Sequence, residues 1–180
     1  FVTLQSCLKQ TDMELINNLF PRFDEYGKEL IYQAYKIAEE ALKEEQRSNG
    51  VPFIEHPIAV AKIACDEIGL SAGCIAAVFL HEAMRFFPET AIPKGTFGQD
   101  VMTMVDGLNK ISTIKPKDTK LEAENYKRLI VSYSKDPRVT VLKIADRLEV
   151  MRSLDIFPKL SRERKVLETM MLYIPLAHQL

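Results

Sequence analysis

The sequence predicts an all-α fold: a single domain over residues 1–180, built as a bundle of about eight or more helices. Three observations carry this. Apolar residues recur three and four apart in almost every segment. Ser, Thr or Asp precedes most of these segments, and Gly, Asn or Pro follows them. The one β-rich run, Val139-Thr140-Val141-Leu142, lies inside a helical period.

Taken in order, Thr11 and Asp12 can cap a helix that runs to Asn18 or Leu19 and is closed by Pro21. From Asp24 to Arg47, Leu30, Ala34, Ile37, Ala38 and Ala41 recur at helical spacing. Asn49-Gly50 ends that helix, and Val51-Pro52 opens an extended loop. Pro57 suits the first turn of a helix from Ile58 to Ile68, stopped by Gly69. Ser71 caps the next, whose Ile75, Val78 and Phe79 leave His81 and Glu82 near its C-terminal end. Phe86 to Thr96 reads as a loop. Thr96 can cap a helix through Val101, Met104, Val105 and Leu108, followed by a loop from Ile111 to Thr119 around Pro116. Leu121 to Lys135 reads as helix. Asp136-Pro137 opens another to Leu154, and Ser161 caps a last one, where Glu163 and Glu168 complement Arg164 and Lys165. Met170 and Met171 read as core.

Composition narrows the function classes. The chain has 180 residues, enough to bury about two thirds of its unfolded surface. Its 47% hydrophobic and 27% charged residues are those of an ordinary globular protein. A net charge of −1 provides no field to recruit DNA or an anionic membrane. The apolar run from Cys74 to Leu80 is too short to span a bilayer. Three cysteines without Cys-x-x-Cys spacing read as thiols in a reducing, cytoplasmic compartment. The chain starts at Phe1 and runs out in a helical pattern, so a piece of a longer polypeptide is expected. Lys159, Arg162, Arg164 and Lys165 read as a solvated helix start. Phe86-Phe87 reads as the cover of a pocket or an exposed patch.

Two histidines and two carboxylates, His56, His81, Glu82 and Asp146, form a nitrogen-and-oxygen set suited to Mn²⁺, Fe²⁺ or Zn²⁺. Adjacent helical residues point about 100° apart, so His81 and Glu82 share an ion only if other helices supply the remaining donors. Asp146 sits among Leu142, Ile144, Ala145 and Leu148, which implies partial burial. A buried aspartate needs a cation or donors, and Lys143 or Arg147 can serve as well as an ion.

Several runs share one likeness. They are Arg47-x-x-Gly50-x-Pro52-Phe53-Ile54-x-His56-Pro57, then Leu80-His81-Glu82, then Phe97-Gly98 with Val105-Asp106-Gly107-Leu108-x-Lys110. Val141 to Leu154 and Tyr173-Ile174-Pro175-Leu176-Ala177-His178 continue the series. Together they resemble the N-terminal hydrolase domain of the RelA/SpoT (Rel) proteins, which make and degrade the alarmone (p)ppGpp. The likeness runs in order from about Tyr32 to Leu180. It implies an HD-type helical fold with a synthetase domain following in the same chain. It also implies a Mn²⁺ site that directs water at the 3′-pyrophosphate of a guanine nucleotide. On this resemblance His56, His81 and Asp146 match metal ligands, and Arg47 matches a nucleotide contact. Glu82 stands where the family has aspartate; its extra methylene moves the carboxylate by roughly 1 Å, in a site where such shifts matter.

The departures fall on chemistry. The family's Glu-Asp pair, which positions and activates the hydrolytic water, is replaced by Arg85 and Phe86. Neither can accept a proton at neutral pH. Ser48 replaces a basic residue and Val150 an asparagine. These changes imply a hydrolase-like domain of a GTP pyrophosphokinase with impaired hydrolysis and a regulatory role. The alternative is a working ppGpp 3′-pyrophosphohydrolase in which Glu82 holds metal and Glu89 replaces the lost acids. Arg85 lies three residues from Glu82, so it either pairs with Glu82 and competes with the ion for Glu82 and Asp146, or faces solvent.

Overall fold

The computed structural model describes residues 4–90, 92–113 and 136–178. Within them lie seven helical segments and no strand beyond one isolated bridge between Gln46 and Pro52. The helix expected over Leu121–Lys135 lies outside the described residues.

Helix α1, Leu4–Leu19, begins earlier than Thr11, so the predicted cap lies inside it. It buries Ile16, and Phe20 follows it into the core. Helix α2, Glu25–Leu42, is capped by Asp24, whose side chain accepts from Gly27 N at 2.8 Å. Its buried face is Ile31, Ala34, Ala38 and Leu42, a three-and-four repeat. It stops at Leu42, short of the predicted Arg47. Residues 43–54 instead fold back on themselves, with Arg47 N donating to Val51 O at 2.8 Å and Phe53 N to Glu45 O at 2.9 Å. That turn delivers Arg47 and Phe53 to the site described below.

Helix α3, Glu55–Lys62, starts before the predicted Ile58 and widens into a π-turn, Ile63–Ile68. Gly69 ends it at φ +83°, a left-handed conformation that favours glycine. Helix α4, Ala72–Phe86, is the centre of the bundle: every residue from Cys74 to Ala83 is buried. A helix apolar on all sides must be surrounded, and α2, α3 and the later helices Gln99–Thr113 and Pro137–Arg152 all contact it. Tyr35 of α2 meets Phe79 edge-on, with centroids 5.7 Å apart. Each fully buried Ile75, Phe79 or Leu80 side chain is worth about 1.5–3 kcal/mol of apolar burial.

Helix α5, Gln99–Thr113, buries Val101, Met104, Val105, Leu108 and Ile111. It starts three residues after Thr96 and runs past Ile111, where a loop was expected. Helix α6, Pro137–Arg152, is capped by Asp136, with proline in the first turn as predicted. Arg138 ties this cap to α5 by donating to both oxygens of Asp100, at 2.8 and 2.5 Å. Helix α7, Lys159–Glu168, continues through a π-turn, Thr169–Tyr173, into a last turn, Ile174–Ala177. Met170 is 61% exposed, contrary to its expected place in the core, because it falls on the outer face with Leu160, Leu167 and Ile174. No helix among the described residues is long and apolar enough to cross a membrane.

Helices α5 and α6 come close at Gly107, where an added Cβ would lie 2.9 Å from Cγ2 of Val139. Val139 is 1% exposed and β-branched, so it has little room to turn away. Gly107→Ala is therefore expected to destabilise the domain. Overpacking costs about 1–3 kcal/mol and outweighs the gain in helix propensity of about 1 kcal/mol. Thermal unfolding should show a lower midpoint for Gly107→Ala and none for Gly98→Ala, where the Cβ would enter open space.

Candidate metal centre

Three helices deliver the site. His56 comes from the first turn of α3, His81 and Glu82 from the last turns of α4, and Asp146 from the middle of α6. Adjacent residues on α4 can both serve because α4 has neighbours on two sides. His81 leans towards α5, where Nδ1 meets Asn109 Oδ1 at 2.7 Å. Glu82 faces α3, with Oε1 3.7 Å from His56 Nε2.

Three of the four predicted residues are brought together, while His81 stands beside them with Nε2 3.4 Å from Ser112 Oγ. Ligand atoms of His56, Glu82 and Asp146 lie within 4.8 Å of one another. His56 Nε2 is 3.3 Å from Asp146 Oδ1, and His81 Nε2 is 3.7 Å from Glu82 Oε1. Each carboxylate divides its oxygens. Glu82 turns Oε1 inward while Oε2 accepts from Arg85 Nε at 2.8 Å and Nη2 at 2.6 Å. Asp146 turns Oδ1 inward while Oδ2 accepts from Lys143 Nζ at 2.8 Å. Arg85 thus pairs with Glu82 as one of the two expected arrangements had it, with its side chain still 38% exposed. It does not reach Asp146, whose cation is Lys143. The reason is position: Lys143 sits one turn before Asp146 on the same helix, whereas Arg85 lies on α4.

Burial and pairing set the protonation states. Burial works against a charge on His56, but hydrogen bonds to Asp146, Glu149 and Glu82 raise its pKa well above the ordinary histidine value. Burial pushes the His81 imidazole down to about 4, which leaves it neutral at pH 7. For Glu82 burial opposes ionisation, yet the His56 hydrogen bond and the charge of Arg85 hold its carboxyl below the usual range. Asp146 follows the same logic: burial opposes its charge, and Lys143 and His56 overcome it.

The donor chemistry fits a divalent ion. Both buried imidazoles have Nδ1 engaged by an oxygen, His56 with Glu149 Oε2 at 2.6 Å and His81 with Asn109 Oδ1 at 2.7 Å. This leaves His56 Nε2 facing both inward carboxylate oxygens and His81 Nε2 facing that of Glu82. Outer partners on Nδ1 are the usual company of metal-binding histidines. Two nitrogens and two oxygens suit Mn²⁺, Fe²⁺ or Zn²⁺.

The centre opens into a cleft of about 460 Å³. Five cationic side chains line it (Arg47, Arg85, Lys143, Arg147 and Lys165) against two carboxylates, Asp146 and Glu168. Ser48 and Val150 are in the wall, where the resemblance placed polar contacts. Phe86 also lines it and packs on Phe53 with centroids 4.6 Å apart, while Phe87 is 41% exposed, so the pair splits between cover and surface. Lys165, expected in a solvated helix start, instead lies over the Phe157 ring at 4.3 Å. Glu89 is exposed and outside the lining.

Glu149 was missed by sequence reasoning. Its one local signal is its position three residues after Asp146, on the same face of α6. Arg47, predicted to contact nucleotide, donates from Nη2 to Glu149 Oε1 at 2.8 Å and to Ser153 Oγ at 2.7 Å.

Comparison with known proteins identifies the family. Residues 34–180 match the HD domain family. The chain is 38% identical over 169 residues to the guanosine-3′,5′-bis(diphosphate) 3′-pyrophosphohydrolase of Aquifex aeolicus, covering 93% of this chain and 24% of that protein. It is 32% identical over 170 residues to a GTP pyrophosphokinase of Streptomyces coelicolor, with 93% and 20% covered. It is 37% identical over 150 residues to the bifunctional (p)ppGpp synthase/hydrolase SpoT of Escherichia coli, with 82% and 21% covered. The chain therefore spans 20–24% of the length of these relatives. With the family matched over residues 34–180 and most of its length aligned to these relatives, the chain belongs to the HD domain family and is a homologue of the RelA/SpoT proteins.

Proposed function

We propose that this chain is the hydrolase-like HD domain of a ppGpp synthetase, with weak or absent hydrolysis and a regulatory role exerted by contact with a synthetase domain of the same chain. The observation that carries the reading is the pairing of Arg85 with Glu82 at the mouth of the centre. The guanidinium also lies over the Phe86 ring, 4.7 Å from its centroid. These two positions are where the resemblance puts the water-activating acids. A guanidinium and a phenyl ring offer no proton acceptor there.

The remaining acids at the cleft are committed. Asp146 is held by Lys143 and His56, and Glu168 accepts from Arg147 at 3.0 Å. The exposed position of Glu89 argues against its serving as a substitute base.

The same residues support retained binding. A cleft with five cations and two carboxylates suits a polyphosphorylated nucleotide. His56, His81, Glu82 and Asp146 would hold the divalent ion, which supplies a water of lowered pKa and neutralises phosphate charge. Arg85 withdraws charge from Glu82 through Oε2 without covering Oε1, so it weakens the ion's hold rather than replacing it. Phe53 and Phe86 form an apolar stretch of wall beside the centre.

Incubation with ppGpp and Mn²⁺ is expected to release pyrophosphate only marginally above background. Release at an enzyme-like rate would overturn the proposal in favour of a working pyrophosphohydrolase. Restoring the acids together, as Glu82→Asp, Arg85→Glu and Phe86→Asp, is expected to raise the rate by about 10²–10⁴-fold, the usual worth of general acid–base catalysis. No gain would point to a cleft that no longer seats the nucleotide.

Metal binding should also be proton-linked. His56 holds a proton in the metal-free protein because its pKa is raised, and the ion needs the Nε2 lone pair. Mn²⁺ uptake is therefore expected to release a proton and to strengthen as pH rises towards the folded-state pKa of His56. Calorimetric titration in buffers of different ionisation enthalpy reads that proton directly; buffer-independent heats would contradict it.

A further inference from the structure

Glu149 is a buried carboxylate that neither the donor set nor the cleft chemistry uses. It lies on α6 one turn beyond Asp146, is 4% exposed, and has both oxygens engaged. Oε2 accepts from His56 Nδ1 at 2.6 Å, and Oε1 accepts from Arg47 Nη2 at 2.8 Å. Arg47 is braced in turn by Ser153, whose hydroxyl donates to the Glu149 carbonyl at 3.0 Å.

We propose that Glu149 is a positioning residue of the metal centre: it fixes the His56 ring so that Nε2 faces Glu82 and Asp146, with Arg47 anchoring it from the cleft side. This rests on the divalent-ion reading given above. The His56 ring could present either nitrogen inward. Its neighbour Phe53, tilted at 58° with centroids 5.4 Å apart, bounds the ring without choosing between them. A carboxylate does choose. It only accepts, so Nδ1 keeps its hydrogen at 2.6 Å from Glu149, and Nε2, held at a longer 3.3 Å from Asp146, is the atom that gives up its proton to an ion. Asn109 does the same for His81 with a neutral amide. On His56 the partner is charged, which makes the ring the more basic donor of the two.

Arg47 completes the strut. A carboxylate this buried needs partners for both oxygens, and the guanidinium supplies the second. Arg47 also lines the cleft. An anion that draws Arg47 towards itself pulls on the group that holds His56, so cleft occupancy and ion binding are linked, each altering the other by the same factor.

Two readouts test this, one of them independent of metal. In metal-free protein carrying ¹⁵N-histidine, His56 Nδ1–H is expected to give a ring N–H resonance protected from solvent exchange. Glu149→Leu should lose it and Glu149→Gln should keep it in weakened form; persistence in Glu149→Leu would show that another group holds the ring and would overturn the proposal. The second readout is free Mn²⁺, followed by electron paramagnetic resonance during titration. Glu149→Leu is expected to weaken Mn²⁺ binding by about 10–100-fold, the usual effect of losing an outer partner of a ligand. Glu149→Gln and Arg47→Met should weaken it less and in the same direction. Unchanged affinity in all three variants would overturn the proposal. If Glu149→Leu does not fold, Glu149→Gln and Arg47→Met carry both readouts. If the wild-type protein takes up no Mn²⁺, the ion reading under the previous heading falls, and the protected resonance alone decides the positioning role.

Discussion

One buried imidazole lies where three helices meet. His56 of α3 contacts Glu82 of α4 and both Asp146 and Glu149 of α6, and it is 5% exposed. Burying that many ionised groups is tolerable only when every charge has a partner in good geometry. The partners come from different helices, so their register is tied to the charge pattern as well as to apolar packing. Asp146 brings Lys143, Glu82 brings Arg85, and Glu149 brings Arg47. Removing any one of them leaves a buried charge uncompensated, a large cost in a low-dielectric interior.

Around this polar knot the apolar bundle is conventional. Helix α4 supplies buried side chains in every direction, and its neighbours present ordinary amphipathic faces. The two π-turns lie in α3 and α7, the helices that flank the cleft. Such turns often sit near functional sites because they redirect a helix without ending it. Here the turn after α7 brings Leu172 and Tyr173 to the cleft wall, where Tyr173 lies under Arg147 at 4.2 Å.

Much of this was legible in the residues. The uninterrupted apolar run before His81 announced a surrounded helix, and Gly69, Ser71 and Asp136-Pro137 marked true boundaries because caps and stops act locally. The end of α2 and the start of α1 were misplaced because helical periodicity does not say where a chain turns back. The pairing of Arg85 with Glu82 could be read from an i, i+3 spacing. The choice of Lys143 over Arg147 for Asp146 could not, since both lie within reach in sequence and only the packing of α7 engages Arg147 with Glu168. Glu149 was invisible for the same reason. Its partners are 93 residues away at His56 and beyond, and no local pattern reports contacts at that separation.

The divided carboxylates have a consequence for how such a domain persists. Many metal-organised folds come apart when the ion is withdrawn, since their ligands repel one another once bare. In this chain Arg85 and Lys143 already neutralise the outer oxygens, and His56 supplies positive charge between the inner ones. The three helices therefore carry their own countercharges at this junction, and their packing does not wait on a bound cation.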